Sequence, residues 1–325
     1  MSGIYALGTF ARTGGDYFVG ILQDGRVLAL HDALADAPAD LGAIVADWDR
    51  WGSAIDAAVA TAPADGWEAE AALTALLPYM PDNIYGAGAN YRRHVIELIV
   101  DKGVGGVAHL SPEERRKHGE EIMDRRAATG KPFIYVGARA SIGSPDQPLV
   151  LPYDVREPDW ELELAVVIGR PARRVSRADA LGHVAGYMIA NDFTARELVD
   201  RPDIPQMGMD WMACKGLPGF KLLGPYITPG RFIADPQKLH MRLSVNGDVM
   251  QDEGTDDMIF DVARLIEYLS AHTRLLPGDV ILTGSPSGNG THYDRFLRDG
   301  DEVVGEISGL VGKQRVRCEA ERAPG

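Results

Sequence analysis

The sequence predicts an α+β chain, mainly β, in two parts: a small N-terminal α+β domain over residues 1–75 and a larger domain over 76–325. Three observations carry this. Strand-like runs around an Asp-Gly turn open the chain and lead into an alanine-rich helical stretch. A Pro-bearing segment, Leu77-Pro-Tyr-Met-Pro81, then punctuates it. From residue 132 onward β-type runs separated by Gly and Pro dominate.

Taken in order, Tyr17-Phe-Val-Gly-Ile-Leu22 and Arg26-Val-Leu-Ala-Leu30 flank Gln23-Asp-Gly25, a strong tight-turn signal, so residues 1–30 read as a hairpin or meander. Residues 32–61 space Leu34, Leu41, Ile44, Val45, Trp48 and Trp51 at helical intervals. Asn83 to Tyr91 reads as a short strand into a turn, and Arg92 to Asp101 as a helix. A charged insert at about 101–131 follows. Ser111 as cap, Pro112 at the first helical position and Glu114 three residues after the cap predict a helix over 112–127. A second helix is expected over Met258–His272, with Ile259, Val262, Leu265, Ile266 and Leu269 on one face, and Val280-Ile-Leu-Thr283 as a strand after it.

The chemistry centres on Trp160-Glu-Leu-Glu-Leu-Ala-Val-Val-Ile168. A strand points alternate side chains to opposite faces, so Glu161 and Glu163 share one face and Leu162 and Leu164 the other. Two carboxylates beside an apolar run repel each other and resist desolvation unless a cation or protons compensate. Asp192, ending the strand-like run from Val184, offers a third oxygen. Mg²⁺, Mn²⁺ or Ca²⁺ suits such an all-oxygen site; a strand with one polar face in solvent is the alternative. His94 and Glu97, three apart on a helix, form either a carboxylate-oriented base or a surface contact. Lys215, in the apolar Trp211-Met-Ala-Cys-Lys-Gly-Leu, either meets an anionic partner or extends its ammonium to solvent. The loop Thr283-Gly-Ser-Pro-Ser-Gly-Asn-Gly290 exposes backbone N–H groups and hydroxyls that suit a carboxylate. It is neither a P-loop nor a nucleophile elbow.

A net charge of −14 argues against nucleic acid or an anionic membrane as the main partner. The two cysteines, Cys214 and Cys318, imply no disulfide framework and lack zinc-site spacing. No secretory signal is visible at the N-terminus, and no apolar run approaches the roughly 18 residues of a membrane span. The expectation is a soluble cytoplasmic protein acting on a small molecule.

Several of these segments together resemble the fumarylacetoacetate hydrolase (FAH) family. Asn90-Tyr-Arg-Arg-His94-Val-Ile-Glu97 is similar to its Asn-Tyr-x-x-His-x-x-Glu element. Glu161-Leu-Glu163-Leu-Ala-Val-Val-Ile-Gly169 is similar to its metal strand, and Gly186-Tyr-Met-Ile-Ala-Asn-Asp192-Phe-Thr-Ala-Arg196 to its Gly-Tyr-x-x-x-Asn-Asp-x-Thr-Ala-Arg. Val245-Asn-Gly, Gln251, Thr255, Asp257-Met-Ile-Phe260 and Pro277 to Gly284 follow in the same order, so the resemblance spans about residues 76–317.

The resemblance implies a FAH-type C-terminal catalytic domain of mixed β-sheets around a metal site, a Mg²⁺-type ion and a homodimer. It implies Glu161, Glu163 and Asp192 as ligands, His94 and Glu97 as the water-activating pair, and Lys215 with Thr283, Gly284 and Ser285 on substrate oxygens, joined by Gln251. Departures fall on the substrate side. Met250 precedes Gln251 where many relatives have arginine, and Tyr135-Val-Gly-Ala stands where they place Phe-x-Lys-Pro. Ser285 replaces a common threonine, and the 101–131 insert is longer than the usual connection.

The expected activity is catabolic hydrolysis of a carbon–carbon bond in a 1,3-diketone-type acid, such as an acylpyruvate or a fumarylacetoacetate-like compound. The alternative is isomerisation or decarboxylation of a 2-oxo acid. A non-enzymatic binding module would be expected to lose one of the three acids, and all are present. The helix at 112–127 is either a lid over the site or a solvated decoration. Met207, Met209, Trp211 and Met212 either line an apolar pocket or pack internally.

Overall fold

The computed structural model describes residues 3–62 and 65–323. Strands Ala6–Arg12, Tyr17–Gln23 and Arg26–Ala29 pair antiparallel as the hairpin signals predict, with the tight turn at Asp24-Gly25. Short strands at Glu68–Ala69 and Leu73–Ala75 extend them to a five-stranded sheet. The helical stretch expected over 32–61 is broken into pieces: Leu30–Ala33, Leu41–Ala46 and Trp48–Thr61. Pro38 disfavours helical backbone before it. Asp40 restarts the helix as a cap, its side chain accepting from the Ala43 N–H at 2.9 Å.

The central sheet has eight strands. Its heart is the antiparallel pair Leu162–Ile168 and Val184–Asp192, flanked by Val280–Leu282 on one side and Lys221–Leu223 on the other. Ile84–Gly88 and Phe133–Gly137 extend it to one edge. Leu162 pairs with Asn191 and Glu163 with Ala190, while the Asp192 N–H donates to the Glu161 carbonyl at 2.9 Å. Paired positions share a face, so this register brings Glu161, Glu163 and Asp192 together.

Both faces of the central pair are covered. Leu162, Leu164, Val166 and Ile168 pack with Met241, Leu243 and Val303 of a second, five-stranded sheet. Ala165 and Val167 pack with Tyr5, Leu7, Ile21 and Ile55 of the N-terminal region. Leu7 and Ile227 exchange two backbone hydrogen bonds, tying that region to the rest. Every residue from Leu162 to Ile168 is therefore buried. A half-solvated strand, the alternative for the two glutamates, does not occur here.

The insert forms a helix, Pro112–Thr129, capped as expected: the Ser111 Oγ accepts from the Glu114 N–H and the Glu114 carboxylate from the Ser111 N–H at 2.8 Å. It packs through Gly119 and Met123 onto the helix Arg92–Lys102. The second expected helix runs Val262–His272 rather than from Met258, because the Asp261 carboxylate accepts from the Arg264 N–H at 2.7 Å and sets the start. Cys214 and Cys318 are free and buried. Among the described residues, no helix is long and apolar enough to cross a membrane.

Candidate metal centre and its histidine cavity

Glu161, Glu163 and Asp192 each place a carboxylate oxygen within 4.8 Å of the other two, and all three are buried. The strand pair fixes the backbone, and cations fix the side chains. Arg196 reaches Glu161 Oε1 at 2.5 Å and Asp159 at 2.7 Å. Lys215, at the end of the short helix Trp211–Lys215, puts its ammonium 2.6 Å from Glu161 Oε2 and 2.5 Å from Asp192 Oδ2. Lys221 reaches Asp192 Oδ1 at 3.0 Å, and the Tyr135 hydroxyl donates to Asp192 Oδ2. Glu163 accepts the Gly284 N–H at 2.6 Å.

These partners set the charge states. Burial alone would raise the Asp192 carboxyl, but Lys215 and Lys221 outweigh it and hold it at about 2. Burial likewise opposes ionisation of Glu161, and Lys215 and Arg196 reverse it, so its carboxyl lies below the ordinary value. Glu163 goes the other way: burial, then the neighbouring Asp192 charge, push it well above the carboxylate range. Burial works against the charged form of Lys215, yet Asp192 and Glu161 keep its ammonium firmly protonated.

The acids Asp159, Glu161, Glu163 and Asp192 thus face the cations Arg196, Lys215 and Lys221, four charges against three if Glu163 ionises. Clustered buried carboxylate oxygens with one charge left over fit a hard divalent cation.

Beside this centre lies a cavity of about 10 Å³ lined by His94, Glu97, Asp101, Asn289, Thr291 and His292. His94 is buried, and its imidazole is pushed down to about 4 by burial, with Arg196 next. Glu161 and Glu97 act in the opposite direction. Among the described residues His94 and Glu97 share no hydrogen bond. Glu97 instead accepts from the Ser287 hydroxyl and from Arg93 Nε at 3.1 Å.

The structure thus brings the three acids and Lys215 into one cluster and puts His94 and Glu97 on a neighbouring wall. It spends the remaining predicted side chains internally. Gln251 is fully buried; its Oε1 accepts the Leu162 N–H at 3.0 Å and its Nε2 donates to Ser285 Oγ and the Pro286 carbonyl, both at 2.9 Å. The Thr283 hydroxyl donates to the Leu164 carbonyl at 2.9 Å. Gln251 and Thr283 therefore lock the 283–290 loop onto the strand that carries the glutamates. Met207, Met209 and Met212 are exposed, while Trp211 stacks on Tyr135 at 5.3 Å.

Sequence reasoning passed over Asp159 and Lys221, and met Tyr135 only as a departure from the family pattern and Asn289 only as part of the 283–290 loop. Asp159 lies two residues before Glu161, and strand parity alone would have placed it on the acidic face. Lys221 carried a signal too, as a lysine inside the apolar run Phe220-Lys-Leu-Leu223. Its path crosses Gly137, the third residue of Tyr135-Val-Gly-Ala, where a Cβ would stand 2.6 Å from Lys221 Cε. An ammonium thus reaches this place from a different strand of the same sheet.

The family model "Fumarylacetoacetate (FAA) hydrolase C-terminal" matches residues 83–317. Human mitochondrial oxaloacetate tautomerase FAHD2B is 40% identical over 182 residues, 55% of this chain and 57% of that protein. A 2,4-didehydro-3-deoxy-L-rhamnonate hydrolase from a Sphingomonas species is 41% identical over 188 residues, 57% of this chain and 64% of that one. The match spans less than two thirds of either relative's length. The crystal structure of maleylpyruvate hydrolase from Sphingobium sp. SYK-6, in complex with manganese(II) ion and pyruvate, superposes over 98% of this chain and 100% of that one. Its TM-score is 0.72 at 25% identity.

Proposed function

The chain belongs to the fumarylacetoacetate hydrolase family, and on that premise we propose that it hydrolyses a carbon–carbon bond in a 1,3-diketone-type acid such as an acylpyruvate. One observation carries the reading: a buried three-carboxylate centre adjoins a cavity whose imidazole stays neutral down to about pH 4.

Glu161, Glu163 and Asp192 would hold a Mg²⁺ or Mn²⁺ ion. When bound, that ion supplies Lewis acidity toward the oxygens of the oxo acid. His94 takes a proton from water, and the hydroxide oxygen attacks the distal carbonyl carbon. The carbon–carbon bond then breaks, its electron pair passing to the departing oxo acid as an enolate. The protonated imidazole returns its proton to that carbon, leaving a carboxylic acid and a 2-oxo acid. Glu97, one turn along the helix, raises the proton affinity of His94 through its charge. Lys215 balances charge growing on oxygen.

A second reading is isomerisation or decarboxylation of a 2-oxo acid, of which isomerisation, as tautomerisation, is supported by the tautomerase relative. A panel of 2,4-dioxo acids with Mg²⁺ or Mn²⁺ in H₂¹⁸O, with and without EDTA and beside His94→Ala, separates the two. Hydrolysis places one solvent oxygen in the acid product; tautomerisation and decarboxylation place none. A homodimer in the cytoplasm belongs to the same proposal. Its support is the edge strand Phe133–Gly137, which leaves Phe133 and Val136 exposed, and light scattering of the purified protein tests the dimer.

A further inference from the structure

We propose that Asn289 is the positioning residue for the attacking water, donating its amide N–H to the water oxygen while His94 accepts a water proton. This rests on the hydrolytic reading above and adds to it a residue from a different segment of the chain.

Asn289 precedes the short helix Gly290–Tyr293, where an asparagine side chain ordinarily accepts a backbone N–H. It makes no such bond here. The residue is 1% exposed, and its Nδ2 has no hydrogen-bond partner among the described residues. A buried amide donor without a partner destabilises a fold, so its presence calls for a reason.

The cavity supplies one. Asn289 and His94 line the same space of about 10 Å³, room for about one water molecule. The other hydroxyls nearby are committed: Ser287 donates to Glu97, and Thr291 donates to Asp159 at 3.1 Å. The other polar groups on this lining, Asp101, Lys102 and His292, are exposed to solvent, and Glu97 is engaged by Ser287 and Arg93. Asn289 is the buried donor and His94 the buried acceptor, and a water needs both. The loop cannot drift from this position, since a Cβ at Gly288 would stand 2.0 Å from the Met250 carbonyl oxygen. Asp159 pins the other side by accepting the Gly290 N–H at 2.5 Å.

The test compares two reactions of one substrate. Wild type, Asn289→Leu and Asn289→Ser are loaded with Mn²⁺ and given a 2,4-dioxo acid in H₂¹⁸O, and separately in D₂O. Incorporation of ¹⁸O into the acid product reports water attack. Deuterium exchange at C3 in excess of the spontaneous exchange in an enzyme-free control reports enolisation by the enzyme, which needs no nucleophilic water. Asn289→Leu is expected to slow ¹⁸O incorporation roughly 10- to 100-fold, the range for a misplaced reactant, with exchange and KM unchanged. Asn289→Ser is expected to recover part of the loss. Thermal melting of the leucine variant should not fall, because the amide makes no hydrogen bond to the described residues that the change would break. Equal loss of exchange and hydrolysis would make Asn289 merely structural and overturn the proposal, as would unchanged hydrolysis in Asn289→Leu. If wild type itself incorporates no ¹⁸O, the hydrolytic reading fails and the positioned water fails with it. The two failures are thereby distinguished.

Discussion

The acidic centre and the histidine cavity are built in opposite ways. Around Asp192, Glu161 and Glu163 every carboxylate is engaged by an N–H, ammonium, guanidinium or hydroxyl donor, and the backbone beneath is a doubly covered strand pair. Around His94 the walls come from a helix and a loop, Glu97 is shared between Arg93 and Ser287, and Asn289 holds an unspent donor. A centre whose carboxylates are all engaged holds one fixed arrangement. A looser wall with spare donors can change which small reactant it orients. Relatives in the same family carry hydrolase and tautomerase names. On the proposed reading, the choice between those reactions would lie on the histidine side.

The largest expected effect strikes the acidic centre. Glu163→Gln should abolish tight Mn²⁺ binding by isothermal titration and lower turnover roughly a thousandfold, the scale of losing a catalytic metal. The metal-free protein should melt no lower than wild type, because burial and Asp192 already disfavour the Glu163 carboxylate. A variant that binds Mn²⁺ normally would remove Glu163 from the centre and break the comparison at its stronger end.

Next comes His94→Ala, which should reduce hydrolysis about 10²- to 10⁴-fold while leaving Mn²⁺ affinity within a few-fold of wild type. Joint loss of both would mean that the two regions are one.

The pH dependence follows from the same imidazole. In the unfolded chain it takes a proton near its ordinary 6.5, but in the fold only at about 4. The folded state thus binds fewer protons in that window, and stability falls as pH drops from 6.5 to 4. About 3 kcal/mol is at stake over the full interval. Urea unfolding of wild type and His94→Gln between pH 4 and 7 checks this. The wild-type curve should lose the extra stability on acidification, and the variant should not.

The sequence disclosed whatever is local. Alternation placed Glu161 and Glu163 on one face, the Asp24-Gly25 turn made the first hairpin, and Ser111 with Glu114 marked the start of the insert helix. It hid what depends on partners far along the chain. Asp192 meets Glu161 only because the register pairs Leu162 with Asn191. Lys221 reaches Asp192 only because Gly137, on another strand of the same sheet, leaves the path open. Even the helix ends moved, since Asp40 and Asp261 outrank apolar periodicity as start signals. Gln251 and Thr283 sat in the expected motifs, yet their polar atoms serve the loop rather than open space.

The smallest effect probes whether the insert helix touches the chemistry at all. It packs on the helix that carries His94, and a Cβ at Gly119 would lie 3.4 Å from Ile99 Cδ1 and 3.5 Å from Ile96 Cγ1. That is ordinary contact, so Gly119→Ala should fit and gain up to about 1 kcal/mol from helix propensity. Gly119→Leu should not fit, and it would press on the turn between His94 and Glu97. If the histidine wall is the adjustable half of the site, Gly119→Leu should slow ¹⁸O incorporation about threefold and leave Mn²⁺ affinity alone. That displacement is well short of the misplacement that costs a hundredfold. An unchanged rate would make the insert a decoration on the outside of that helix. A weakened metal site would instead show that strain crosses from the histidine wall into the strands, and the division drawn here would have to be moved.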